Sequence, residues 1–362
     1  LEKFMVGWLT RLFSSQPTNT KALEPEPVEE DIELTEAEPE VEDVFAPETT
    51  PLSFQRISWM QNDSLNASLM SWLLEGYDQS NLFANPLEKK VLASLDKIIA
   101  SNQAASDMVR RMPGVLPQLL QSLRTEDFSG AELARTISND VVLVAEVIRI
   151  ANSALYRVSD KIDSIEHAIL VLGHSGLRQL ITSVAFKPII DLKSGHYTRA
   201  IAPKIWEHSE KCAVANRILA EDEPVVPFEA FLAGLMQYVG LIVALRVLDQ
   251  LVDPKQSIGS ASFCSSLMAS GRKISANIGR KWNFPEAVVI AIEEQGNIKQ
   301  NTPMSPLGLL LETGDYISKL KILSENQQID ISNADLLKGV SEKAQICLQE
   351  LQALSVTPDE QG

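Results

Sequence analysis

Between Glu229 and Leu245 the chain reads EAFLAGLMQYVGLIVAL, with Gln237 and Tyr238 as the polar interruptions in its middle. Phe228, Phe231, Leu232, Leu235, Val239 and Ile242 recur at helical spacing and define one face. Ala230, Ala233, Gly240 and Ala244 define a second face of small residues, which another helix can approach closely. A helix apolar on all sides belongs at the centre of a bundle. Its length of about sixteen residues falls short of the ~20 that a bilayer requires. The stretch is therefore predicted to be one buried core helix of a soluble domain.

The rest of the chain supplies helices to surround it. Leu65, Leu69, Trp72 and Leu73 predict a helix ending at Gly76, and Leu87, Val91, Leu92, Leu95, Ile98 and Ile99 predict another opened by Pro86. Ser129 followed by Glu132 has capping-box spacing and opens a helix carrying Leu133 and Ile137. Asn139 or Asp140 caps the next, whose inner face is Leu143, Val144, Val147, Ile148 and Ala151. Ser164 starts a helix that stops at Gly173. Ser175 starts another, with Leu177, Leu180, Ile181 and Val184 in register, that ends before Pro188. Two C-terminal helices follow, one with Leu307, Leu310, Leu311 and Ile317, the other with Leu337, Val340, Ala344, Cys347, Leu351 and Leu354. No segment sustains the period-two alternation of a strand. The fold class is all-α, a multi-helix bundle.

Charge marks the boundaries. Between Lys21 and Arg56 there are twelve acidic residues and no basic one, out of a net charge of -16. Residues 14–51 have few large apolar side chains to offset ordering entropy, and are predicted to be a disordered acidic linker. Ahead of it, residues 1–13 place Phe4, Met5, Trp8, Leu9, Leu12 and Phe13 on one face of an amphipathic helix. This helix reads either as an anchor making peripheral membrane contact or docking a partner, or as one that packs on its own protein. It lacks the small-residue cleavage site of a signal peptide. Residues 52–106 form accessory N-terminal helices, 107–296 the main helical domain, and 297–362 C-terminal helices packed on the bundle.

The body outside the linker is nearly neutral and carries no basic stripe, which argues against a nucleic-acid partner. Cys212, Cys264 and Cys347 are odd in number and far apart, neither a disulfide framework nor a zinc pattern. Buried free thiols in a reducing cytoplasm fit them. There is no nucleophile elbow, phosphate loop or dinucleotide fingerprint, and no cofactor is expected.

Two resemblances bear on function. F-L-A-G-L-M-Q-Y-V-G resembles the helix of the HD superfamily of metal-dependent phosphohydrolases, in which G-L-L-H-D-I-G presents adjacent His and Asp to a metal. More specifically, L-P-Q-L-L-Q-S-L (116–123), E-L-A-R-T-I-S-N-D (132–140), R-I-A-N-S-A-L-Y (149–156), I-D-S-I-E-H-A-I-L-V-L-G (162–173) and W-E-H-S (206–209) together resemble the HDOD domain, the HD-related output domain of bacterial signalling proteins. The match covers roughly half the chain, although Val141 stands where the family often has proline. It implies a helical bundle of HD-superfamily-like architecture, used in signal transduction and usually without demonstrated catalysis.

Followed position by position, the resemblance implies a degenerate metal site. His208 matches the first metal histidine, Gln237 and Tyr238 replace the paired His-Asp, and Asp315 matches the last metal aspartate. Gly271, Gln295 and Gly296 fall where the cyclic-dinucleotide phosphodiesterase branch has histidines. Glutamine is a weak neutral ligand, and tyrosine, with a pKa of ~10, stays protonated. Hard divalent metals want carboxylate or imidazole there. No catalytic residue and no metal ligand is therefore assigned.

His208 lies in line with Ile205, Cys212, Ala215 and Leu219, the inward face of its helix. It is expected to be a buried histidine bonded to Tyr238 or Gln237, with Asp315 as a further partner. Asn152 and Ser153 read as a helix-end cap, and Trp206 completes the motif. His167, His174 and His196 share no metal spacing. The expectation is a non-catalytic, cytoplasmic signalling protein that binds other signalling proteins or a small nucleotide ligand. The alternatives are a metal-dependent phosphohydrolase with atypical ligands and a nucleotide or cyclic-dinucleotide sensor. Oligomeric state is left open.

Overall fold

The structure, a computed structural model, describes residues 56–75, 81–101, 117, 141–153, 161–190, 195–296 and 303–353. The expected N-terminal helix at 1–13, the linker at 14–51, the Ser129–Glu132 capping box, the caps at Asn139 and Asp140, and Gly76 and Leu354 all lie outside these residues. Among the described residues every regular element is a helix. They run α1 (Trp59–Leu74), α2 (Pro86–Ala100), α3 (Val141–Ala151), α4 (Ile165–Ile190), α5 (His196–Leu219), α6 (Pro227–Met236), α7 (Val239–Leu251), α8 (Ala261–Lys281), α9 (Glu286–Gly296), α10 (Pro306–Glu325) and α11 (Glu342–Ala353).

Local chemistry sets several of these boundaries. Pro86 begins α2 at a position where a missing N–H costs nothing. Asn85 and Glu88 cap it reciprocally, at 2.9 and 2.8 Å. The same Glu88 carboxylate, fully buried, also accepts from Gly259 N, Ser260 N and Ser260 Oγ, and so ties α2 to the start of α8. Ser305 caps α10 on Gly308 N, with Pro306 at its first position. The start of α5 is capped from a distance: Asp249 on α7 accepts from the backbone N–H groups of Tyr197 and Thr198 at 2.7 and 3.2 Å.

Four expectations need correction. The single core helix is two, α6 and α7, separated by a turn at Gln237 and Tyr238. The apolar run also extends farther than its central motif, over 25 residues from Pro227 to Leu251, long enough to cross a membrane. Its burial, 94% inside the bundle, makes it core where length alone would not. The helix expected to stop before Pro188 continues to Ile190, while Gly173, with φ +69°, breaks α4 where the sequence placed a stop. Finally, Leu337 sits in a 3₁₀ turn, Ala334–Leu337, and α11 begins only at Glu342, so Leu337 and Val340 are not part of it. The first helix ends at Leu74, with Glu75 in the left-handed conformation.

The bundle is organised around α5, which packs on α6, α7, α10 and α11, and around α8, which packs on α7, α9 and α2. α1 lies against α10 and α8, and α3 against α4. Close approach of α8 to α7 depends on Gly240, because a Cβ there would lie 2.0 Å from the Gly271 carbonyl oxygen. The small-residue face read from the sequence is thus used at that position.

Candidate functional site

The break between α6 and α7 builds the site. Helix ends leave backbone groups without intrahelical partners, and a fully buried end must find them elsewhere. Ser275 of α8 supplies both: its Oγ donates to Gln237 O at 2.9 Å and accepts from Gly240 N at 2.8 Å. Tyr238 takes φ −102° and ψ 0°, the bridge region common in tight turns. The turn thereby holds Gln237 and Tyr238 side by side in the interior, where α5, α8 and α10 converge.

Asp315 of α10 is the hub. Its Oδ1 accepts from His208 Nε2 at 3.0 Å, Gln237 Nε2 at 3.2 Å and Tyr238 Oη at 2.9 Å. Its Oδ2 accepts from Arg272 Nη2 at 2.7 Å and Lys319 Nζ at 2.5 Å. The structure therefore brings together the four pocket residues read from the sequence, His208, Gln237, Tyr238 and Asp315. Of the partners expected for His208, it is Asp315 that takes the hydrogen bond, and not Tyr238 or Gln237; Tyr238 meets its ring edge-on with centroids 4.9 Å apart. Gln237 also donates to Cys212 Sγ at 3.0 Å. Arg272 bonds Tyr238 Oη, lies over the Tyr238 ring and donates to the Gln295 carbonyl. Lys319, with no exposure at all, donates to Asn66 of α1 as well.

The electrostatics follow from this wiring. Burial on its own would raise the Asp315 pKa, but Lys319 and Arg272 outweigh it and hold the carboxylate well below its usual range. Burial pushes His208 down despite the pull of Asp315, so the imidazole is neutral. A neutral ring donating from Nε2 leaves Nδ1 as a bare acceptor, and Nδ1 is buried with no partner. Burial, reinforced by Asp315, drives the Tyr238 hydroxyl well above its ordinary value, so it acts only as a hydrogen-bonded phenol. The Cys212 thiol is likewise raised by burial and is no nucleophile.

A divalent metal does not fit this arrangement. Of the ligand set the resemblance implies, only His208 and Asp315 remain, and they are spent on each other. Both Asp315 oxygens are engaged, and two cations already stand where a metal's charge would be. A third cation among them would be repelled. Among the described residues no group of three or more His, Cys, Asp or Glu side chains could hold a metal. The guanidinium and ammonium together neutralise the carboxylate.

The other sequence candidates lie apart from this network. Asn152 spends its side chain on backbone, donating to Ile148 O and Ile162 O and accepting from Ile162 N, and so ties the end of α3 to Ile162. Ser153 closes the same turn through its N–H to Ile150 O. Trp206 is buried on α5 and does not bond to Asp315. His167 pairs with Asp163 at the surface, and His174 and His196 are exposed. Gln295, fixed by Gly308 O, reaches the network only through its carbonyl. Sequence reasoning missed Arg272 and Lys319. Lys319 stands four residues after Asp315, the spacing of a helical ion pair. Arg272 continues the inward row Cys264, Met268, where a charge is out of place unless it is paired.

Comparison with known proteins agrees with this architecture. The HDOD domain profile matches residues 109–298. The fold is similar to that of an HDOD domain protein of unknown function from Geobacter sulfurreducens, at 19% identity and a TM-score of 0.52, over 73% of this chain and 94% of that one. A Shewanella amazonensis SB2B protein proposed to be a metal-dependent phosphohydrolase is similar at 18% identity and a TM-score of 0.51, over 75% of this chain and 99% of its own. An uncharacterized protein of Treponema pallidum (strain Nichols) is 20% identical over 223 residues, 59% of this chain, which spans 42% of that protein's length. With the profile covering just over half of its length, the chain belongs to the HDOD domain family.

Proposed function

We propose that this chain is a non-catalytic signal-transduction module, acting through a helical surface or pocket offered to other signalling proteins or to a small ligand. The observation that carries the reading is the Asp315 network, in which Arg272 and Lys319 occupy the carboxylate that a catalytic metal would need. A metal kept off that carboxylate could not, at this site, polarise a phosphoryl oxygen or activate water. Nor does the network offer a replacement nucleophile, because its tyrosine and thiol are both held protonated. Three buried free thiols suit a reducing cytoplasm. Membrane contact through residues 1–13 is a further part of the proposal.

One observation favours the phosphohydrolase reading: His208 and Asp315 keep the residue types of the first and last HD ligands, 3.0 Å apart. Elemental analysis of protein purified without chelator decides between the two. The expected result is no stoichiometric metal and no phosphodiesterase activity with added manganese or iron. Stoichiometric metal that disappears in His208→Ala or Asp315→Ala protein would overturn the non-catalytic reading.

A further inference from the structure

Helix α1 is held to the bundle in two different ways along its length. In its second half Leu65, Leu69, Met70 and Leu73 are all buried. Lys204 of α5 clamps the far end, donating to Trp72 O at 3.0 Å and to Glu75 Oε1 at 2.7 Å. Ahead of Leu65 the pattern reverses. Over residues 56–64 one apolar side chain, Ile57, is buried, while Trp59 is 53% and Met60 72% exposed. The other side-chain ties of this stretch to the bundle are polar. Gln61 Nε2 donates to Asp335 O and Lys338 O at 2.8 and 2.9 Å, both at the surface. Asn62 and Arg56 donate to Glu312 Oε1 at 3.3 and 3.4 Å.

The groups beneath are incompletely satisfied by these contacts. Glu312 is buried, and its second oxygen, Oε2, has no hydrogen-bond partner, a state that access to water relieves. The space below is not filled either. A pocket of about 190 Å³ lies between α1 and α8, lined by Trp59, Asn62 and Asp63 of the one and Cys264 and Met268 of the other. Side chains that face a void forgo packing contacts. A segment with few buried apolar groups and surface-exposed hydrogen bonds opens at a lower free energy than the whole fold.

We propose that residues 56–64 form a lid, hinged at Leu65 and Asn66, that opens without unfolding the bundle and controls entry to the pocket between α1 and α8. Opening hydrates Glu312 and widens the pocket mouth, while Leu69, Leu73 and the Lys204 clamp keep the rest of α1 in place. The hinge lies one side chain from the buried network, because Asn66 Oδ1 accepts from Lys319 Nζ at 2.6 Å. The lid does not depend on the protein being non-catalytic, since it gates the pocket for whatever enters.

The cysteines of the chain report on the lid. Cys264 lines the pocket and is 2% exposed, whereas Cys212, beside Gln237 in the network, has no exposure. The full chain is treated with a maleimide at several urea concentrations below the unfolding transition, and labelling of each cysteine is followed by peptide mass spectrometry. Cys264 is expected to label faster than Cys212 and at a rate nearly independent of urea, because a small opening exposes little surface. Cys212 waits for global unfolding and should accelerate steeply. Gln61→Ala removes the two surface hydrogen bonds that latch the lid, and should speed labelling of Cys264 by about tenfold. Labelling of Cys264 with the rate and urea dependence of Cys212 would mean that there is no separate opening. An unchanged Cys264 rate in Gln61→Ala would mean that the reagent reaches the pocket without the lid moving. Either result overturns the proposal.

Discussion

Removing the negative charge at Asp315 should unbalance the core more than removing one of its cations. Arg272 Nη2 and Lys319 Nζ bond the same oxygen at 2.7 and 2.5 Å, so the two nitrogens are at most about 5 Å apart. With an effective dielectric constant of ~20, two like charges at that separation repel by about 3 kcal/mol once the carboxylate is gone. Asp315→Asn is therefore expected to cost about 3–5 kcal/mol, the range for breaking a buried pair and stranding its partner. Lys319→Met leaves Asp315 and Arg272 as a matched pair and should cost less, about 1–3 kcal/mol for the lost hydrogen bonds. In the double variant only one buried cation remains beside the amide, so the two costs should fall short of additivity by about 1–3 kcal/mol. Urea unfolding followed by far-ultraviolet circular dichroism, extrapolated linearly to water, measures all three. Additive costs, or a larger loss in Lys319→Met than in Asp315→Asn, would refute the charge argument.

Two further expectations concern packing and pH. Gly240→Ala drives a methyl group to within 2.0 Å of the Gly271 carbonyl and should destabilise by about 1–3 kcal/mol. Gly279→Ala, whose new methyl would meet Val289 at 3.4 Å, should be neutral or stabilising by up to ~1 kcal/mol. Thermal melting of the two variants makes the comparison. Glu210, half-buried on α5, has its pKa raised to about 7 by burial, although Lys187, Lys211 and Arg149 pull it down and only Glu207 adds to the rise. A raised carboxylate binds its proton more tightly in the folded state, so stability should fall as pH rises from 4.5, its ordinary value, to about 7 and level off above that. Glu210→Gln should flatten that decline and be more stable than the parent at mildly alkaline pH. Parallel pH–stability curves would disprove it.

The helices were legible where local chemistry decides them. Pro86 and the apolar row behind it fixed α2, and Gly173 marked the break in α4. The turn at Gln237 and Tyr238 was not legible, because apolar residues continue at helical spacing straight through it. What stops the helix is Ser275, nearly forty positions away, and a one-dimensional pattern carries no trace of such a partner. The same distinction governs the site. His208 could be placed by the inward row on its own helix, and Gln237, Tyr238 and Asp315 by resemblance. Lys319 was missed, although its spacing of four from Asp315 carried the signal. Arg272 depends on α8 and α10 meeting, a tertiary fact. Pro188 shows the opposite error: a proline in the last turn of α4 removes a donor without ending the helix at once.

The two cations that lock Asp315 also bear on any attempt to build a metal site into this bundle. Writing histidine and aspartate back at 237 and 238 would restore the missing letters of the motif while leaving the guanidinium and ammonium in possession of Asp315. The new aspartate would add a second carboxylate for those same cations to neutralise, and so would tighten the lock it was meant to open. Opening Asp315 to a metal has to begin on α8 and α10, by retiring Arg272 and Lys319. Positions outside the motif thus decide whether Asp315 is open to a metal, and inspection of the motif alone does not show that its carboxylate is already engaged.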